Sequence, residues 1–395
     1  MSVIRNIVES RIYDAKGDFN AAMRTAERQI LSLMPLKGTR ELLPEDVSVR
    51  DLYDLFVIEP RKQKGQSCEG LLGGNSQSTV AMVEAMGTTA LPRIIGRMAT
   101  IIILDEYQLA LSDVEQLVTD SPGWTGDWAE FGRLTGKDKP ERVHEGESYE
   151  EAGFGEFTSQ IKMRKFGKII YLTKEMILAD QTGKIVDHAK NYGEAMGLHR
   201  QTDILECATM RASTLHEGGV NDWYRVNQTS YAVYADDHSA VPGSGAQTND
   251  NIAAVALGNA GLGTIRTQMR AMKDINGDNI VVNPRFVIVA PEQETIAEQL
   301  HDNKYQVGAT TQDLPKNIWK GKYMPINDFG GTDGTFFIGD FPKQMRYAWV
   351  WKPGVETVIP QEQAVTRDVT MLIKTSYKGG VGHIDSRYVL KSVAP

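Results

Sequence analysis

Between residues 157 and 210 the spacing of apolar and polar positions changes twice, and each change predicts a different element. Phe157, Ser159, Ile161 and Met163 alternate with Thr158, Gln160, Lys162 and Arg164, the period of a strand with one face in solvent. The alternation slips at 165–167, where Gly167 predicts a bulge or bend. It resumes as the apolar run Ile169, Ile170, Tyr171 and Leu172, which predicts a strand buried on both faces. Such a strand is wet at one end and in a core at the other, as in an arm that leaves a globular body and returns. A turn at 174–183 follows, and then a helical period. Ile185, Ala189, Tyr192 and Met196 share a face there, and Ile204, Leu205 and Ala208 continue a drifting stripe. Gly193 and Gly197 interrupt that helix, each at about 1 kcal/mol relative to alanine, which predicts close approach of another backbone.

The same reading places short helices at both ends of the first segment. One carries Ile4, Ile7 and Val8, the next Phe19, Met23, Ala26, Ile30 and Met34, before Pro35, Gly38 and Pro44 break the pattern. A further short helix is predicted at 45–58, and 61–78, rich in glycine and small polar residues, reads as a linker. Two helical stretches follow at 88–98 and 104–118, then a turn bearing Trp124 and Trp128. Residues 211–260 have little period beyond Trp223, Tyr224, Tyr231 and Tyr234 and read as a loop-rich insertion. Beyond them come a helix at 264–273, a tight turn at Asn276-Gly277 and a strand at 280–282. A buried strand at 286–290 leads to a helix that opens on Pro291. Strands are predicted at 335–338, 345–351, 355–359, 368–375 and 387–393. The fold class is α+β.

Composition narrows the function. The 395 residues carry a formal net charge of −8, which argues against a protein whose task is gripping nucleic acid, since binding phosphate needs a basic surface. Two cysteines, Cys68 and Cys207, exclude a disulfide framework and fit a reducing cytosol. The longest aliphatic run, 101–104, is too short to span a bilayer, and the charged first residues contain no signal-peptide core.

No motif assigns a catalytic, cofactor or metal residue. Gly261-Leu262-Gly263 lacks the preceding strand and third glycine of a dinucleotide loop. Asp236-Asp237-His238 and His144-Glu145 have no second, suitably spaced pair of ligands. The segment 274–278 lacks the later glutamate of a calcium loop. Cys207 reads as a small core residue.

Charge is patterned around the arm. Glu141, Glu145, Glu147, Glu150, Glu151 and Glu156 form an acidic limb, directly before the basic Lys162, Arg164, Lys165 and Lys168. As opposed strands of a hairpin these limbs would form cross-strand pairs of roughly 0.2–1 kcal/mol each; they are equally candidates for contacts with a neighbouring subunit.

The order of these parts carries a family resemblance. The acidic EGESYEEAGFGEF, then KMRKFGKIIYLTKEMILAD, then a long helix resembles the major capsid proteins of tailed bacteriophages, which share the Hong Kong 97-type fold. A second likeness is the series of helix, D-x-N-G-D turn, strand, NPRFVIVAP and helix across 264–300. The resemblance spans about 80–395 and is weakest in 211–260. It implies an N-terminal arm and linker (1–78), an entry to the peripheral domain (79–136), an extended-loop hairpin (137–172) and a spine helix (173–210). It further implies an axial domain with a loop-rich insertion (211–335) and closing strands (336–395).

By the same resemblance the chain is a shell protein that assembles with itself into pentamers and hexamers around double-stranded DNA, which it touches weakly if at all. Scaffold, portal and decoration proteins are further expected partners; no cofactor and no membrane are expected. Assembly would take place in the host cytoplasm. In some relatives the arm is removed by proteolysis, or an extended-loop lysine is joined to a neighbour's asparagine; Lys162, Lys165 and Lys168 lie in the corresponding region. An encapsulin-like compartment shell of the same fold is the alternative, and an unrecognised α+β enzyme is the reading from a different class.

Overall fold

The structure is a computed structural model that describes residues 4, 6–7, 10, 19–35, 52, 54–58, 91–134, 142, 144–145, 156–178, 182–210, 224–226, 229–230, 232–235, 238–241, 244–273, 279–305, 316–328, 330–331, 334–360 and 368–393. They fall into two compact units, each drawn from three stretches of chain. Unit 1 takes 1–111, 165–199 and 351–378; unit 2 takes 112–164, 200–350 and 379–395.

Unit 1 is built on helices α1 (Phe19–Leu33) and α2 (Leu91–Leu111). Ala26, Ile30 and Met34 are buried, as their spacing requires, and Glu27 pairs with Arg93 of α2 at 3.2 Å. The sequence predicts two helices at 88–98 and 104–118, but α2 runs unbroken to 111 and continues as a 3₁₀ turn, Ser112–Leu117. The β-branched run Ile101–Ile103 is buried in its middle, and that burial outweighs the weak helix propensity of isoleucine.

Strand β4 (Arg164–Thr173) and the short helix α3 (Lys174–Leu178) lead to α4 (Thr182–Thr209). The predicted close approach at the two glycines is to α2. A Cβ on Gly193 would stand 2.6 Å from the Ile103 carbonyl oxygen; one on Gly197 would stand 2.8 Å from that of Tyr107 and run into Ala110. The bend expected at Gly167 is instead a second close approach. A Cβ there would lie 2.6 Å from the Thr375 carbonyl oxygen of β14 (Val369–His383), and the strand breaks earlier, at Met163. The run 169–172 is not buried on both faces either. Leu172 is buried, but Ile169 and Tyr171 are 44% and 41% exposed, so one apolar face of β4 is partly in solvent. The strand β13 (Met345–Val358) replaces the two predicted there. Pro353 is tolerated because β1 (Thr119–Pro122) pairs with residues 346–349 and, among the described residues, that side of β13 is an edge beyond them.

Unit 2 centres on a five-stranded sheet in the order β11, β10, β12, β15, β9. Its strands are β9 (Ile252–Ala253), β10 (Phe286–Val289), β11 (Met324–Asn327), β12 (Thr335–Gly339) and β15 (Val389–Val393). All four residues of β10 are buried, as a continuous apolar run demands. Helices α5 (Asn259–Ala271) and α6 (Glu294–Asp302) supply Leu262, Ile265, Met269, Ala297 and Leu300 to the core they share with Val287, Phe336 and Ile338. Pro291 opens a 3₁₀ turn that leads into α6. The strand expected at 280–282 does not form: an isolated bridge pairs Lys273 with Asn279 just before it, and Val281 is exposed. The turn at Asn276-Gly277 and most of the arm 1–78 lie outside the described residues. Within the insertion, β5 (Arg225–Val226), β6 (Thr229–Ser230), β7 (His238–Val241) and β8 (Ser244–Asn249) form two short hairpins.

Candidate assembly hairpin and its anchor

Two strands of unit 2 carry the arm. β2 (Trp128–Leu134) and β3 (Glu156–Lys162) pair antiparallel from Trp128↔Lys162 to Leu134↔Glu156. The residues between them, 135–155, hold Glu141, Glu145, Glu147, Glu150 and Glu151 of the acidic limb, and Glu156 opens β3. At the base the ladder is fixed by packing. Ala129, Ile161, Met163 and Ala348 form a buried cluster covered by Trp124, Phe131 and Val350. Met163 N–H donates to the Asp127 carbonyl at 2.8 Å, and Ser159 Oγ donates to that of Ile384 at 3.0 Å. β3 lies between β2 and β5 in its sheet; Gln160 is buried as well as Ile161, and its amide donates to Glu130 at 2.7 Å. The strand read as half in solvent is therefore covered on both faces at its base.

The register separates the two limbs of charge. Lys162 is opposite Trp128, with its ammonium 5.8 Å from the ring centroid, and the Arg225 guanidinium is 4.5 Å from the same ring. Arg164, Lys165 and Lys168 are on β4, beyond the hairpin, where Lys165 lies 5.9 Å from the Trp351 ring. Among the described residues of the ladder no acidic residue stands opposite a basic one, since Lys162 pairs with Trp128 and Glu156 with Leu134. Glu145 is exposed, and the backbone of Glu156 pairs with that of Leu134. Glu141, Glu147, Glu150 and Glu151 lie outside the described residues.

Sequence reasoning missed the anchor beneath this base. Arg200 of α4 is 2% exposed and binds Glu115 at 3.1 Å and Asp120 at 3.0 Å. Its guanidinium also lies 4.7 Å from the Tyr347 ring and 4.9 Å from the Trp349 ring. A lone arginine on a polar helix face gives no signal of this, since its partners are remote in sequence.

Farther along α4, burial pushes the Asp203 carboxyl up to about 7, assisted by Glu206 and opposed by Arg164. Asp203 thus folds protonated in weak acid. Its contribution to stability is full below the ordinary carboxylate range and is lost as pH rises through 7. Among the described residues no group of three potential metal ligands occurs, and no helix is long and apolar enough to cross a membrane.

Comparison with known proteins bears on this stretch. The family described as phage capsid protein matches residues 156–392, more than half of the chain. No curated protein matches it. Among solved structures, the chain is similar to the capsid of cyanophage P-SCSP1u at 10% identity and a TM-score of 0.45, over 71% of this chain and 87% of that one. It is also similar to the capsid of a native GTA particle, at 8% identity and 0.45 over 72% and 90%. A third is a virus-like particle from Pyrococcus furiosus, at 11% and 0.42 over 74% and 97%. The assignment rests on the family match: the chain belongs to the phage capsid protein family and is a subunit of a phage shell.

Proposed function

We propose that this chain is the major head protein of a tailed phage, enclosing a double-stranded DNA genome in an icosahedral shell of Hong Kong 97-type subunits. It acts by geometry and carries out no reaction. The carrying observation is the β2–β3 ladder, clamped at its base by a buried cluster and holding the acidic 135–155 segment beyond its last pair. In the assembled shell this segment, with Glu141, Glu145, Glu147, Glu150, Glu151 and Glu156, meets basic groups of a neighbouring copy such as Lys162, Arg164, Lys165 and Lys168. Contacts of this kind are individually modest and act together in a closed shell. Heterologous contacts that repeat around fivefold and quasi-sixfold axes close when their angles allow.

In this reading 1–78 is the arm, 79–136 the entry to the peripheral domain, 137–172 the extended loop and 173–210 the spine helix. Residues 211–335 form the axial domain and 336–395 the closing strands. Assembly takes place in the host cytoplasm, with scaffold, portal and decoration proteins as partners and DNA touched weakly. Membership of the phage capsid family favours this over a cellular compartment.

The test is a deletion of 136–155 joined by a short glycine-containing turn. Met163 and Ile161 stay in place, so the subunit is expected to fold with an unchanged circular dichroism spectrum and to form no stable shells. Normal shells of unchanged thermal stability would refute the role of the hairpin. Replacing the six glutamates by glutamine is expected to weaken shells most at low salt, where charge pairing is strongest.

A further inference from the structure

Where α4 ends, three elements of unit 2 meet on a buried histidine. His383, the last residue of β14, is fully buried, and its Nε2 lies 2.8 Å from the Cys207 carbonyl in the last turn of α4. That carbonyl can only accept, so Nε2 carries the ring proton. Nδ1 then holds a lone pair and accepts from Gln344 Nε2 at 2.7 Å. Gln344 closes the short helix α7 (Phe341–Gln344) and is itself fully buried. Its main-chain carbonyl accepts from Ile384 N–H at 2.7 Å, which fixes its backbone beside the histidine. Its side-chain oxygen, Oε1, has no hydrogen-bond partner among the described residues.

We propose that His383 and Gln344 form an acid-responsive latch on the end of α4, in which protonation of the imidazole turns the Gln344 amide over and loosens unit 2 around that helix end. The neutral ring is the only form that fits the present contacts. A proton on Nδ1 would set N–H against the amide NH₂, two donors face to face. Rotating the amide about its last bond relieves this, because the unpartnered Oε1 swings in to accept from Nδ1–H. The turn breaks no existing bond of Oε1, but it strands the NH₂ group and leaves a cation in the interior, both of which cost stability.

The surroundings offer that cation little. Tyr234 donates its hydroxyl to the Ala208 carbonyl, and the Cys207 thiol is held protonated by burial. From α4 itself come Asp203 and Glu206, with Arg164 acting on Asp203. Asp203 is neutral below about 7 and supplies no counter-charge in acid. Beyond the histidine, Asp385 is paired with Arg387 at 3.1 Å; on α7, Lys343 is paired with Asp340 at 3.2 Å. Burial accordingly moves His383 down from its usual value to about 4, against a smaller opposite pull from the Cys207 carbonyl. Because the folded value is the lower one, the unfolded chain takes up the proton first. Stability is therefore full above 6.5 and falls as pH drops towards 4. From this group alone the unfolding constant has risen about 150-fold at pH 4, towards a limit of about 300-fold in stronger acid.

The experiment uses the full-length chain in assembled shells. Solid-state NMR with ¹⁵N-histidine reads the ring directly. The expected result is an Nε2-protonated neutral tautomer for His383 from pH 7 to about pH 4, with Nδ1 gaining its proton only below that. A proton on Nδ1 at pH 7, or titration near 6.5, would overturn the latch. In thermal melts over the same range, His383→Gln is expected to lose much less stability on acidification than the wild type; parallel losses would also overturn it. Should that variant fail to fold, Gln344→Glu offers the ring a fixed acceptor and is expected to raise the His383 titration above 6.5. No upward shift in Gln344→Glu would contradict the proposed role of the amide.

Discussion

Leucine at Gly193 or at Gly197 is expected to remove the subunit from solution as a folded species, and with it the shell. Both glycines lie where α4 presses on α2, and in each case a Cβ would strike main-chain atoms of that helix. Main chain inside a helix cannot step aside as a side chain can. Overpacking costs about 1–3 kcal/mol where side chains absorb it, and here two helices must separate along their length. Alanine tests the same point more gently. It would gain about 1 kcal/mol of helix propensity, but the close carbonyls should make it destabilising at both positions. Gly263 of α5 is the control, because nothing stands within 4 Å of a Cβ there. Gly263→Ala should stabilise by about 1 kcal/mol. Thermal unfolding of the purified subunit measures all of these. Equal effects at Gly193 and Gly263 would show that the contact with α2 is not the reason for the glycines.

The second large effect concerns Arg200. Its two carboxylate partners can be neutralised while the arginine is kept, by Glu115→Gln with Asp120→Asn. That leaves a buried guanidinium without its counter-charges, a loss of about 3–5 kcal/mol. Arg200→Met fills the space between the Tyr347 and Trp349 rings with a neutral chain and leaves two carboxylates that still reach solvent. Its cost should be smaller, about 2 kcal/mol, because a buried ion pair replaced by apolar volume is often nearly neutral. The ordering is the prediction, read from denaturant midpoints. If Arg200→Met proved the worse of the two, stacking on the rings would outweigh the ion pairs.

What could be read from the sequence was local. The stripe Ala26, Ile30, Met34, the buried run of β10 and the demand of Gly193 and Gly197 for a neighbouring backbone are all period or steric signals carried by a few adjacent residues. The identity of that neighbour was not readable, since α2 lies about 90 residues earlier. The same limit explains the charges at the arm. Local composition marked an acidic and a basic limb, but only the register, which begins at Trp128↔Lys162, shows which residues stand opposite Lys162 and Glu156. The exposure of Ile169 and Tyr171 was not readable because a continuous apolar run carries no period that separates one face of a strand from the other. Arg200, Asp203 and His383 gave no signal at all. Each is a single polar residue whose role is set by partners from distant segments.

The central claim is that this chain forms the shell by reaching from one copy to the next through the 135–155 segment. Cryo-electron microscopy of particles in which it is the shell protein tests that directly. The account predicts closed icosahedral shells in which each acidic hairpin tip lies against the basic face of a neighbouring subunit. Shells in which every hairpin folds back on its own subunit would contradict it.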